Sequence, residues 1–459
     1  MKFPSRRSEG LKRQFIAWIA AGLFVAALLL LHSVAARAQT VAAQAPPSVP
    51  SPTTAAPSQG EAPESYQPPS ATAAEAVAYS EAQHHVYFVD FAYGLLILIL
   101  ILEFRVAPRY RDWAERATPR RILQAAIFAP LLLLTIDVVS LPISIWQQRL
   151  DREFHQSIEG WGAWFLDWLK GEALELILGI FLVWILFAIL RRSPKRWWFY
   201  FWLASIPILI FILFISAFVL EPLFFEFKPM VQTQPTLAVE IEQLMHHAGL
   251  NIPQDRIYEM TASAKLNAVN AYVSGIGASK RVVVWDTTIA RMTPPEILFV
   301  VGHESGHYVL HHIAKEIAFL AGVLLIFFFI GDRGLRALLA RRGGRWAIRG
   351  LDDWASLPIL LLLFSVLGFL FTPIDNAVSR HFEHQADQFG LELIHGFVPN
   401  APEAAANAFE ILGEVNLEEP HPTWIDKIWF DDHPPVDERI RFARTYDPWS
   451  QGKSPEFVK

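Results

Sequence analysis

Three residues carry the chemistry that can be read first: His303 and His307, spaced four apart, with Glu304 between them. On a helix, residues four apart lie one above the other, so both imidazoles can reach a single Zn²⁺ ion. Glu304 is rotated about 100° from His303. That angle suits it poorly as a ligand beside the pair and well as a base that takes a proton from water, the arrangement of the H-E-x-x-H pattern. The chain has no cysteine, which excludes disulfides and thiolate-ligated zinc and leaves His, Asp and Glu as the strong metal ligands.

A third ligand must come from another element. His311 continues the same face but lies eight residues along, about 12 Å from His303 at 1.5 Å per residue. Ile313 stands where the longer pattern H-E-x-x-H-x-x-G-x-x-H would put its last histidine.

The elements that must position these groups are mostly membrane helices. Of 459 residues, 53% are hydrophobic, with 34 Phe and 16 Trp, a composition outside the range of ordinary soluble domains. Residues 1–38 read as a signal peptide or anchor, with Ala36-Arg37-Ala38 as an A-x-A cleavage pattern. Residues 39–83 read as a linker, its Ala/Pro/Ser-rich part from Thr40 to about Pro69 too poor in large apolar residues to hold a core. Six apolar segments follow, at about 86–104, 122–145, 171–190, 198–222, 315–331 and 357–378, each near bilayer length. Asp137, Glu172 and Glu175 fall within or beside them; a mark of an ion path is the alternative, and the expectation is that they face the bundle interior or a water-filled cavity and are satisfied there.

The basic residues sit in alternate connections: Arg105 to Arg121, Arg191 to Arg196, and Arg333 to Arg349. By the positive-inside rule these three lie in the cytoplasm, so the histidine motif and the C-terminal region face the other way. The fold class expected is therefore an all-α polytopic membrane protein of six to seven transmembrane helices with a small α+β extramembrane domain. Its parts are four helices over 84–226, a zinc metalloprotease domain over 227–314, a membrane hairpin over 315–380, and a third-ligand helix with the C-terminal part over 381–459.

Within the extramembrane part, an amphipathic helix is expected over Pro235–Gly249 and strands at Arg256–Glu259, Ala268–Ser274 and Arg281–Asp286. The motif helix starts at a capping box, Thr293 and Glu296 with Pro294 and Pro295 in the first turn. No breaker but glycine follows, so one helix is expected from Pro295 to Phe329. The hairpin brings the segment Ser379–Asp387 back to the height of His307. Glu383 is the favoured third ligand, Asp387 a group to orient a ligating histidine, and His381 and His384 compete for the ligand position.

These motifs together resemble the type I CAAX prenyl endopeptidases, integral-membrane zinc metalloproteases. The residues that carry the resemblance are His303-Glu304-x-x-His307 with His312, Glu383-His384-Gln385-Ala386-Asp387, His433-Pro434-Pro435-x-x-Glu438-Arg439, and Asn270-Ala271-Tyr272. The resemblance implies one zinc per chain held by His303, His307 and Glu383, with Glu304 as general base. It implies a polypeptide substrate lying as an added strand against Asn270, Ala271 and Tyr272. Asn270 and His433 would then bond the substrate or the developing oxyanion, and Arg380 and Arg439 would support the site.

Two departures stand out. Eukaryotic members carry one more span near the N-terminus and a cytosol-facing site, and Asp431-Asp432 before His433 is unusual. Losing a span inverts the catalytic face, in agreement with the charge count. The expected activity is hydrolysis of membrane or exported polypeptides, in a bacterial inner membrane with the site facing the periplasm. A metal transporter or channel, a non-catalytic scaffold, and prenylated CaaX tails as substrates are the alternatives. Lipid is an expected partner and nucleic acid is not; no oligomeric state is assigned.

Overall fold

The computed structural model describes residues 68–458 except 216–218 and 276. The expected signal or anchor and most of the linker lie outside these residues. The linker expectation fails at its end, because helix α1 runs Ser70–Glu103 and takes in the last residues of the stretch up to 83. Its first turns are rich in alanine, a strong helix former.

The bundle continues with α2 (Val106–Ala117), α3 (Arg121–Glu153), α4 (Trp161–Arg192) and α5 (Trp197–Ile215). Two long helices come later, α8 (His312–Arg342) and α9 (Leu357–Ile394). Five helices are long and apolar enough to cross a membrane, and the apolar part of α5 is shorter. Five of the six expected spans coincide with membrane-length helices, and the described start of the sixth, 198–222, lies in α5. Asp137 Oδ2 and Glu172 Oε2 are buried without a hydrogen-bond partner among the described residues, so the satisfaction expected for the intramembrane acids is incomplete.

The three basic connections meet at one end of the bundle. Arg105 Nε donates to Arg345 O at 2.8 Å, Arg191 to Asp352 O at 3.2 Å, and Arg111 Nη1 to Asp353 Oδ2 at 2.6 Å. Beneath them Trp197, Trp354, Phe128 and Phe187 are fully buried, and Trp197 Nε1 donates to Asp332 Oδ1 at 2.6 Å.

At the other end stands the α+β domain. A four-stranded sheet is formed by β1 (Phe227–Pro229), β2 (Ile257–Met260), β3 (Ala271–Ser274) and β4 (Arg281–Trp285), in the order β1-β2-β4-β3. β2 and β4 are parallel and the outer pairs antiparallel. β3 is therefore an edge. Helices α6 (Pro235–His247), α7 (Pro294–Val309), α10 (Ala401–Val415), α11 (Trp424–Trp429) and α12 (Val436–Thr445) complete the chain. β4 is buried along its whole length, as its Val282-Val283-Val284 run requires.

The single helix expected from Pro295 to Phe329 is two. α7 ends at Val309, His311 takes a left-handed φ of 58°, and α8 starts at His312. A non-glycine residue in that conformation costs about 1–2 kcal/mol, which the contacts of His312 described below help to offset.

Candidate metal centre

The site is assembled from two antiparallel helices that approach closely at glycines. α7 carries Gly302 and Gly306 four residues apart, interleaved with the histidines, and α9 presents Gly390 to them. A Cβ on Gly390 would lie 2.8 Å from the His303 backbone nitrogen, and one on Gly306 would lie 3.1 Å from the Phe389 ring. Only glycine permits that spacing. The start of α7 is fixed by its capping box, with Thr293 N donating to Glu296 Oε2 at 2.6 Å. Its inner face packs through Phe299 against Phe409 of α10, ring centroids 4.9 Å apart.

This packing brings three expected ligands together. His303 Nε2 lies 3.2 Å from His307 Nε2 and 3.1 Å from Glu383 Oε2, and His307 Nε2 lies 3.5 Å from Glu383 Oε1. Ligand atoms bonded at about 2.0–2.2 Å around a tetrahedral zinc stand roughly 3.3–3.5 Å apart, so the set fits such an ion. A further sign of fit is that Glu383 Oε2 is buried and accepts no well-aligned hydrogen bond, although imidazole nitrogens surround it. His381 and His384 are not in the set: His381 lies by the Phe382 ring and His384 by Phe442.

The supporting groups hold the ligands from behind. Asp387 Oδ1 is 2.8 Å from His303 Nδ1, and Arg439 grips Asp387 with two bonds, Nε at 2.9 Å and Nη2 at 2.6 Å. A carboxylate behind a metal-ligating histidine fixes its tautomer and ring orientation. His312 does the same for His307. The two Nδ1 atoms are 3.2 Å apart, His312 Nε2 is 3.0 Å from Gln385 Oε1, and the His312 ring stacks on Phe382 at 4.7 Å. In an unbroken helix His312 would sit about 140° around from His307. The turn at His311 is what redirects it.

Charge follows from this arrangement. Burial opposes a proton on His303, yet the Asp387 and Glu383 carboxylates outweigh it and raise the imidazole to about 9. Burial lowers His307 to about 3, with His303 adding to the effect. Burial opposes a proton on His433 as well, but Glu383 and Asp432 raise it to about 10. Burial pushes the Glu304 carboxyl up to about 7, opposed by His303 and assisted by Glu383, a range in which it can both take and release a proton.

His433 Nδ1 donates to Asp432 Oδ1 at 2.7 Å, leaving Nε2 3.3 Å from Glu383 Oε2. The unusual Asp432 therefore orients the histidine toward the ligand set. Arg380 is farther back: Nη1 donates to Lys427 O at 2.6 Å and to Asp431 O, which holds the segment leading to His433. Asn270 joins the edge of the sheet through its backbone, its N donating to Thr288 Oγ1 at 2.7 Å and its O accepting from Trp285 N at 3.0 Å. Its side chain makes no hydrogen bond among the described residues. Ala271 and Tyr272 lie on β3, which packs beside α7, and Tyr308 of α7 donates to Gly275 O.

The sequence reading overlooks the three glycines and Gln385. The spacing Gly302-x-x-x-Gly306 across the histidine pair is the signal that could have revealed a close helix contact; nothing local marks Gln385.

Comparisons with known proteins give the family. The family model described as Peptidase family M48 matches residues 231–447, and one described as CAAX prenyl protease N-terminal, five membrane helices, matches residues 59–226. An uncharacterized metalloprotease, YhfN of Bacillus subtilis, is 35% identical over 381 residues, 83% of this chain and 87% of that one. CAAX prenyl protease 1 homolog of Homo sapiens is 25% identical over 400 residues, 77% of this chain and 81% of that protein. The crystal structure of S. mikatae Ste24p superposes with a TM-score of 0.70 at 22% identity, covering 82% of this chain and 89% of that one, a likeness of fold. With two family models in tandem and a relative matched over most of its length, the chain belongs to the M48 peptidases, as an integral-membrane metalloendopeptidase of the CAAX prenyl protease type.

Proposed function

We propose that this metallopeptidase uses zinc to hydrolyse membrane or exported polypeptides, with its site on the face of the membrane away from the cytoplasm. The observation that carries the reading is the convergence of His303, His307 and Glu383 within metal-ligand spacing. A zinc ion held there supplies Lewis-acid polarisation of the scissile carbonyl and makes water acidic enough to deprotonate near neutral pH. Glu304 takes the proton from the attacking water and passes it to the leaving amine. His433, steadied by Asp432, and Asn270 donate hydrogen bonds to the carbonyl oxygen as it becomes an oxyanion. The substrate adds as a strand to β3, whose outer edge has no partner strand among the described residues, so its register is set by backbone bonds.

The orientation rests on the gathering of all three basic connections at the end of the bundle opposite the ligands. Prenylated C-termini, the substrates in the name of the eukaryotic relatives, are made in the cytosol and would not meet a site so placed.

Glu304→Gln tests the catalytic reading. The variant is expected to keep its zinc and lose about 10²–10⁴-fold in kcat on an unstructured polypeptide; unchanged cleavage would refute the role. A reporter fused after Lys459 tests the orientation separately and is expected to be active only if it is a periplasmic one.

A further inference from the structure

The short helix α11 carries Trp424, Ile425 and Ile428 on its outer side. Trp424 is 72% exposed, more than any other large hydrophobic side chain among the described residues. Ile425 and Ile428 are exposed as well. The opposite side is fully engaged: Asp426 caps the helix through Thr423, Lys427 pairs with Glu438 at 2.6 Å, and Trp429 packs on Phe369 at 4.9 Å.

The height of α11 is set by α9. Asn376 Nδ2 donates to Trp429 O at 2.8 Å and to Ile428 O at 3.3 Å, and Arg380 donates to Lys427 O. Residues 376–380 stand at the end of the apolar part of α9, about one turn before Glu383. Below them on the same helix Leu370 and Ile374 are exposed, and on the neighbouring α1 so are Phe88 and Val89. All four lie on helices long and apolar enough to cross a membrane. α11 continues that apolar surface by one step, at the level where tryptophan is enriched in membrane proteins.

We propose that α11 lies in the bilayer interface, with Trp424, Ile425 and Ile428 inserted among lipid headgroups and upper acyl chains, and that it anchors there the loop bearing His433. Its apolar side takes lipid as its occupant because it continues the exposed apolar side chains of two membrane-length helices. Its length suits lying on the membrane, not crossing it. The link to the site is short: Arg380, which bonds the carbonyl of Lys427 in α11, also bonds that of Asp431, two residues before His433. A bilayer that fixes α11 therefore fixes the approach of His433 to the ligand set. This inference concerns lipid contact and does not depend on what Glu304 does.

The absence of native cysteine makes the test direct. Single variants Trp424→Cys, Ile428→Cys, Leu370→Cys and Gln243→Cys of the full chain are labelled with an environment-sensitive fluorophore. Each is reconstituted at a high lipid-to-protein ratio into phosphatidylcholine–phosphatidylglycerol vesicles carrying a spin label at the headgroup or at an upper or lower acyl carbon. Gln243 is the aqueous control, on α6, whose end stacks His247 by Phe397 beyond the far end of α9; Leu370 is the lipid-facing control. Retained zinc binding shows that each variant is folded. Quenching at 424 and 428 strongest with the headgroup or upper-chain label, and deeper quenching at 370, is the expected result. Quenching at 424 and 428 no greater than at 243 would overturn the proposal, whether those positions then prove to be in water or covered by a second copy of the chain.

Discussion

The two ends of the bundle handle buried carboxylates in opposite ways. At the basic end Asp353 accepts from Arg111 at 2.6 Å and from the Arg349 backbone at 2.8 Å, and Asp332 accepts from Arg336 and from Trp197. The chain brings its own guanidinium to each of these acids, and the pairing is permanent. At the site end Asp387 is treated alike, gripped by Arg439. Glu383, one turn away on the same helix, pairs among the described residues with the imidazoles of His303, His307 and His433. A buried carboxylate costs several kcal/mol unless its charge is compensated. At Glu383 the compensating charge comes from protonated imidazoles, which a metal can displace, and there a metal can bind.

Substitutions at the two ends should therefore separate stability from metal binding. Arg111→Leu leaves Asp353 short of its buried partner and is expected to cost about 3–5 kcal/mol of stability, seen as a lower thermal midpoint, with zinc affinity unchanged. Lost zinc binding in the folded variant would break the contrast. Gly390→Ala removes no ligand, yet its Cβ would meet the His303 backbone. About 1–3 kcal/mol of overpacking strain is expected, with weakened zinc binding and cleavage as α9 moves away from α7. Asp387→Asn keeps the shape behind His303 but removes the charge, and competition titration should show zinc affinity down about 10–100-fold. Gln385→Leu is the mildest, freeing His312 and through it His307. Less than about tenfold in affinity is expected, at the low end of effects for such supporting groups.

How much of this is legible in the sequence follows from the range of each interaction. The His303–His307 pair, the carboxylate between them and the Thr293 cap are local, set by helix periodicity over a few residues, and the structure places all four residues on one helix and its cap. The six apolar segments are legible for the same reason, since bilayer length is a property of composition. Glu383 is reachable because a membrane hairpin forces two distant segments to one height. Two expectations fail for physical reasons. The break at His311 has no glycine or proline to announce it, because it is stabilised by contacts of His312 with Gln385 and Phe382, more than sixty residues away in sequence. Residues 70–83 hold only Val77 and Tyr79 as large apolar groups and look like linker, yet they continue α1 and are held by tertiary contacts such as Tyr79 to Asp151 at 2.9 Å. The partners of Arg380 and Arg439 are likewise supplied only by the fold.

The most direct test of the contrast is zinc content measured by elemental analysis on the full-length wild type and on Glu383→Gln, purified side by side and dialysed against a weak chelator. Glutamine keeps the size of the side chain and removes the charge that no guanidinium compensates. About one zinc per chain in the wild type and little in the variant, with both proteins folded, is the predicted result. Equal occupancy in the two would contradict the claim that Glu383 completes the metal site.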